Sequence, residues 1–186
     1  MNKIQQRYET VRDLINELNA INIAEIGVFE GETTKFILKN CSQIKTFLLV
    51  DPYNSKPYSK YYSPLYDELK GRNVSFFKMT SEQAAPIIKD GSLDLVFIDG
   101  LHDFDNVTLD INLWLPKVRS GGILCGHDYG QKSIYPPVGK TAIIEVTEAV
   151  DKFFGADNID YILDIVGVNS KRKEDQKRSV WIYHVK

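Results

Sequence analysis

The sequence predicts an α/β protein, a Rossmann-like three-layer sandwich around a seven-stranded, mainly parallel sheet with an antiparallel C-terminal strand. Three observations carry that expectation. Five short apolar runs are each followed by a helical stretch, the alternation that builds a parallel sheet covered on both faces. Two further apolar runs near the C-terminus follow one another without a helix between them, and so pair most simply as an antiparallel hairpin. The stretch Leu93–Tyr129 carries polar clusters, Asp99-Gly100-Leu101-His102-Asp103 and His127-Asp128, behind two of the apolar runs, at the rim where open α/β sheets place their ligands.

The elements follow in order. Ile4, Tyr8, Val11, Leu14, Ile15 and Leu18 recur at helical spacing and predict an amphipathic helix near 4–18. Strands are expected at Ile21–Ile26, Phe47–Val50, Val74–Phe77, Leu95–Ile98 and Gly122–Cys125. The helices between and after them are placed at Lys35–Lys39, at 82–89, at about 104–117 and at Thr141–Phe154. Half of the ten tyrosines (Tyr53, Tyr58, Tyr61, Tyr62 and Tyr66) fall in one short segment that overhangs the rim together with Tyr129 and Tyr135. The closing strands are Tyr161–Val168 and Ser179–Val185, with a charged loop between them.

At 186 residues, 43% of them hydrophobic and 26% charged, the chain fits one soluble domain, opening with a helix within 1–20 and closing with a hairpin within 161–186. A net charge of −2 and the absence of a basic face exclude a nucleic-acid footprint. Cys41 and Cys125 lack metal-ligand spacing and read as buried thiols, while the polar N-terminus and lack of a membrane-length apolar run point to a cytoplasmic protein without membrane contact. A homo-oligomer is allowed.

The first strand runs into Glu25-Ile26-Gly27-Val28-Phe29-Glu30-Gly31, with the glycines permitting a tight turn beside a ligand. The spacing is not the dinucleotide fingerprint G-x-G-x-x-G. Glu25 would repel a pyrophosphate but suits an ammonium group. Asp51, before Pro52 at the end of the second strand, suits the hydroxyls of a ribose, and Thr80 and Ser81 suit an adenine edge.

These segments, AEIGVFEGETT, LLVDPY, KMTSEQA and LVFIDGLHDFDNVTLDINLWLPKVRSGGILCGHDY, together resemble the successive motifs of class I S-adenosylmethionine-dependent methyltransferases over nearly the whole chain. The likeness is greatest to the small-molecule O-methyltransferase branch that includes macrocin-type sugar methyltransferases, and more distant to catechol-type O-methyltransferases. It implies S-adenosyl-L-methionine as cofactor and one methyltransferase domain over 1–186. By position, Glu25 would take the methionine amino group. Gly27, Val28, Phe29, Gly31 and Thr33 would line the methionine, Asp51 and Pro52 the ribose, and Thr80, Ser81 and Glu82 the adenine, with Asp99 and Gly100 flanking the cofactor.

The same likeness assigns the chemistry. Asp99, His127 and Asp128 match the positions at which catechol-type relatives hold a divalent metal, Mg or Mn here. His127 stands where those relatives have an acid, and imidazole suits Mn, Fe, Ni or Zn better than Mg. His102 stands where they carry a catalytic lysine and is the expected base, since an unperturbed histidine titrates near ~6.5. Asp99, His102 and His127 are thus the catalytic candidates for metal-assisted O-methylation of a small hydroxylated acceptor such as a sugar. The competing readings are a protein or other acceptor, a nicotinamide-dependent oxidoreductase and a cofactor-binding module without catalysis.

Overall fold

The computed structural model describes residues 4–56, 58–131, 134–135, 142–165, 169 and 178–186. Its ten strands are β1 (Ile4–Gln5), β2 (Asn22–Ile26), β3 (Thr46–Val50), β4 (Val74–Phe77), β5 (Leu93–Ile98), β6 (Val118–Tyr129), β7 (Ile134–Tyr135), β8 (Ala142–Ile143), β9 (Asp160–Asp164) and β10 (Ser179–His184). The helices are α1 (Arg7–Glu17), α2 (Glu32–Asn40), α3 (Tyr62–Leu69), α4 (Ser81–Ala84), α5 (Phe104–Trp114) and α6 (Val146–Phe154).

Among the described residues, eight strands form one sheet in the order β1-β9-β10-β6-β5-β2-β3-β4, and β7 pairs with β8. The pairs among β2 to β6 are parallel, as the alternation of strand and helix requires. β10 inserts antiparallel between β6 and β9. The sheet has one strand more than expected, because Ile4–Gln5 pairs in parallel with Leu163–Asp164 instead of continuing the first helix downward. The Gln6 backbone N–H then donates to Glu9 Oε2 (2.9 Å), a capping box that starts α1 at Arg7.

Side chains alternate across the sheet. Ile23, Phe47, Leu49, Leu95 and Phe97 pack with Ile15 and Ile37 on one face; Val96, Ile98, Leu124 and Trp181 pack with Ile111, Trp114 and Val150 on the other. This gives the three layers. Gly126 is required at the centre, because a Cβ there would come within 2.6 Å of Trp181 Nε1 and 2.7 Å of Ile98 O.

Some boundaries differ from expectation. The helix after β4 is shorter than 82–89, since Pro86 turns its second half into a 3₁₀ turn over Ala85–Ile87. The last helix starts at Val146, because the Glu145 N–H donates to His102 O (2.8 Å) and its carboxylate accepts from the Phe104 N–H (3.0 Å), holding the approach to α6 open. The expected helix start at Thr141, the strand end at 166–168 and most of the loop after it lie outside the described residues.

Candidate active site

The parallel strands β2, β3, β5 and β6 deliver their C-terminal ends to one rim. β5 stops pairing at Ile98, opposite Gly126, so His127 and Asp128 extend beyond its last rung, beside Asp99. Among the described residues, three of the four non-glycine residues with left-handed backbone, Phe29, Tyr53 and Asp128, sit on the loops of this rim. Such strain persists where surrounding bonds over-determine it. The Phe29 N–H donates to Asp51 and its carbonyl accepts from the Tyr53 hydroxyl (2.9 Å).

On the donor half, Gly27 (φ +85°) packs so closely on the next strand that a Cβ would lie 2.2 Å from Asp99 O. Asp51 Oδ2 accepts from the Val28 and Phe29 N–H groups, both at 3.0 Å, and Oδ1 from that of Tyr53 at 2.9 Å. The carboxylate therefore braces the glycine turn while keeping acceptor capacity for a ligand hydroxyl. Glu25 is 2% exposed and accepts a short hydrogen bond from Thr34 Oγ1. Burial, added to by the nearby Asp99, pushes its carboxyl up to about 8 despite that bond. An ammonium group placed against it would favour the charged form again. Thr33 is buried with Thr34 at the start of α2, and Pro52 is half-buried beside Asp51.

The adenine candidates are more divided. Thr80 caps α4 in a box with Gln83. The Ser81 hydroxyl accepts from Trp114 Nε1 (3.2 Å) and also bonds Asp110, so it is engaged with α5. Glu82 is exposed. Gly100 lies against Asp110, with 3.2 Å between a notional Cβ and Oδ2.

The transfer half is a charge cluster. His102 Nε2 stands 2.7 Å from Asp128 Oδ2 and 3.8 Å from Asp99 Oδ1. Burial lowers the proton affinity of His102, but the bonds and charges of Asp128 and Asp99 outweigh it and raise the imidazole to about 10. Facing two carboxylates, the His102 ring is moved from the unperturbed range near ~6.5 toward its protonated form. His127 is 3% exposed. Its Nε2 is 2.8 Å from Asp164 Oδ2 on β9, and its Nδ1 is 3.4 Å from Asp128 Oδ1 and 3.6 Å from Asp99 Oδ1. Burial works against its charge too, and Asp128, Asp99 and Asp164 raise it to about 9. In return the carboxyls of Asp99 and Asp128 are held below the usual range despite burial.

The donor atoms that converge within 4.8 Å of one another belong to Asp99, His102 and Asp128. Two carboxylates and one imidazole are an acceptable donor set for Mn or Zn and a weaker one for Mg. His127, expected as a ligand, has its Nε2 on Asp164 and its Nδ1 facing the same two carboxylates, and His102 is the imidazole whose nitrogen converges with them. Sequence reasoning missed Asp164, Arg178, whose Nε is 2.8 Å from Asp128 Oδ1, and Arg7, 3.4 Å from Asp99 Oδ2. It also missed Glu145, which fixes the His102 loop.

The tyrosines separate. Tyr62 and Tyr66 pack on one another and on Phe76, covering the β4 edge. Tyr58 and Tyr61 meet the exposed Phe29 ring edge-on at 5.5 and 4.8 Å, next to the glycine turn. The Tyr129 hydroxyl donates to Asp151 (2.7 Å), so its polar tip is engaged with α6. The Tyr135 side chain lies outside the described residues.

A family model described as a methyltransferase domain matches residues 24–129, from β2 to the end of β6. The chain belongs to this family, and with it to the class I S-adenosylmethionine-dependent methyltransferases. An uncharacterised protein of Acanthamoeba polyphaga mimivirus is 29% identical over 119 residues, which span 61% of this chain and 53%, about half, of that protein. Among solved structures, an rRNA methylase from Streptococcus thermophilus has a TM-score of 0.66 at 12% identity, covering 98% of this chain and 99% of that one. An O-methyltransferase from Bacillus cereus bound to S-adenosylhomocysteine has a TM-score of 0.63 at 16% identity, covering 95% and 78%. Both share the fold. Among the described residues no helix is long and apolar enough to cross a membrane.

Proposed function

We propose that the protein transfers a methyl group from S-adenosylmethionine to a hydroxyl of a small acceptor, with a sugar, as in the macrocin-type branch, the leading candidate. The observation that carries this reading is the His102–Asp128 pair, 2.7 Å apart, at the rim that also presents Glu25 and Asp51. Glu25 would hold the donor's ammonium group and Asp51 its ribose, leaving the sulfonium methyl to face the charge cluster. Asp128 orients the His102 ring, whose side chain is 35% exposed and so open to an acceptor.

His102 acts as base only after losing its own proton. The positive charge of a bound sulfonium would oppose that proton and bring the ring toward its working range. A divalent cation held by Asp99, His102 and Asp128 would polarise the acceptor oxygens and compete for the same imidazole. The net charge of −2 favours a small molecule over a nucleic acid, and a protein acceptor stands as the variant of this reading.

The test is calorimetric titration with S-adenosylhomocysteine with and without Mg or Mn, followed by methyl-transfer assays on hydroxylated acceptors. Binding is expected. Absence of binding would remove the donor site, and activity indifferent to a chelator would remove the cation. His102→Ala is expected to lower turnover by roughly 10²- to 10⁴-fold at unchanged donor affinity.

A further inference from the structure

The first turn of α1 is part of the rim. β1 runs parallel to β9, and through β10 both align with the central strands, so Gln5 points to the same end of the sheet as Asp51 and Asp99. Arg7 therefore reaches across the mouth of the donor half. Its Nη2 donates to Glu32 Oε2 at 2.7 Å. Its Nε lies 3.4 Å from Asp99 Oδ2, close enough for an ion pair, yet that buried N–H finds no aligned hydrogen-bond acceptor. A guanidinium is built to give two parallel bonds to one carboxylate. Arg7 gives one good bond and leaves another donor unfilled, buried beside Asp99.

We propose that Arg7 binds the α-carboxylate of the methyl donor. This deepens the donor site proposed above and rests on it. The ammonium and carboxylate of an amino acid share one carbon, so a carboxyl group receiving the first places the second within a few ångströms. The other cations at the rim among the described residues are already engaged: Arg178 with Asp128 and His127, His127 with Asp164, and His102 with Asp128. Arg7 is paired with Glu32 and Asp99 as well, but its Nε–H is left without a hydrogen-bond acceptor, and it lies close enough to Glu25 for each to feel the other's charge. With Glu25 on the ammonium and Arg7 on the carboxylate, the donor is held at both poles of its zwitterion.

The test compares S-adenosylhomocysteine with its decarboxylated counterpart by calorimetry, on wild type, Arg7→Ala and Arg7→Lys, with melting curves reporting folding. Wild type should prefer the carboxylated ligand. Arg7→Ala should bind it roughly ten- to a hundredfold more weakly and the decarboxylated ligand unchanged, the size expected for one charge-assisted pair. Arg7→Lys should recover part of the preference. An equal loss for both ligands would mean that Arg7 only fastens α1, and no loss for either would mean that it does not touch the donor; both overturn the inference. If Arg7→Ala does not fold, an undiminished preference in Arg7→Lys overturns it and a reduced one supports it. Wild type that binds neither ligand would overturn the donor site itself, and this assignment with it.

Discussion

On the donor half of the rim the Asp51 carboxylate is met by the backbone N–H groups of Val28, Phe29 and Tyr53, whereas on the transfer half Asp99 and Asp128 are met by two imidazoles and two guanidiniums. Backbone N–H partners donate at every pH and are lost only to a proline. Side-chain partners can be lost singly, and the imidazoles can lose their protons. The first arrangement fixes a shape, and the second balances charges that a passing proton or cation can redistribute. Shape-changing substitutions should therefore injure the donor half, and charge-changing ones the transfer half.

The strongest break in that division is expected from Asp128→Asn. It removes the charge that orients His102 and should lower turnover by roughly 10²- to 10⁴-fold while affinity for S-adenosylhomocysteine stays within about twofold. A comparable loss of donor affinity would show that the two halves are not separable. Gly27→Ala should do the reverse kind of damage. A methyl group 2.2 Å from Asp99 O in a left-handed backbone should cost about 1–3 kcal/mol or more and weaken donor binding, as melting and calorimetry would report.

Glu25 is the donor half's exception, a titratable group in a shape-determined site, and it gives a sharper test. Its folded value, about 8, lies above the ordinary 4.5. The folded state therefore binds this proton more tightly, and the associated stability is complete below ~4.5 and lost as pH rises through ~8. Glu25→Gln should lose about tenfold or more in donor affinity, yet melt higher than wild type at pH 9, with the gap closing toward pH 6. A variant that melts lower at every pH would contradict the buried neutral carboxyl. The smallest effect is expected from Tyr66→Ala, on the sheet edge: about 1 kcal/mol or less of stability, with transfer activity unchanged. A marked loss of activity would return the Tyr62–Tyr66 pair to the acceptor site.

The same contrast explains what the sequence discloses. β2, β3 and β5 are contiguous apolar runs, and Glu25, Gly27 and Asp51 follow them directly, so local reading reaches the donor half. The transfer half is assembled from distant positions: Asp164 lies 37 residues beyond its partner His127, and Arg178 lies 51 beyond. No local pattern marks them. β1 escaped notice because Ile4 fits the helical spacing of α1, while its pairing with Leu163 is a tertiary choice. The engagement of Ser81 with Trp114 and Asp110 crosses about 30 positions, so no local pattern shows it. The proton affinity of His102 was not readable at all, since it is set by carboxylates that the fold brings near.

The antiparallel entry of β10 between β6 and β9 has a consequence for how the protein is made. Until residues 179–184 leave the ribosome, β6 keeps a long open edge, Trp181 has not settled on Gly126, and β9 has no partner through which to join the sheet. His127 then lacks Asp164, and Asp128 lacks Arg178. The growing chain can shape the half that would hold the donor well before it can complete the half that would use it.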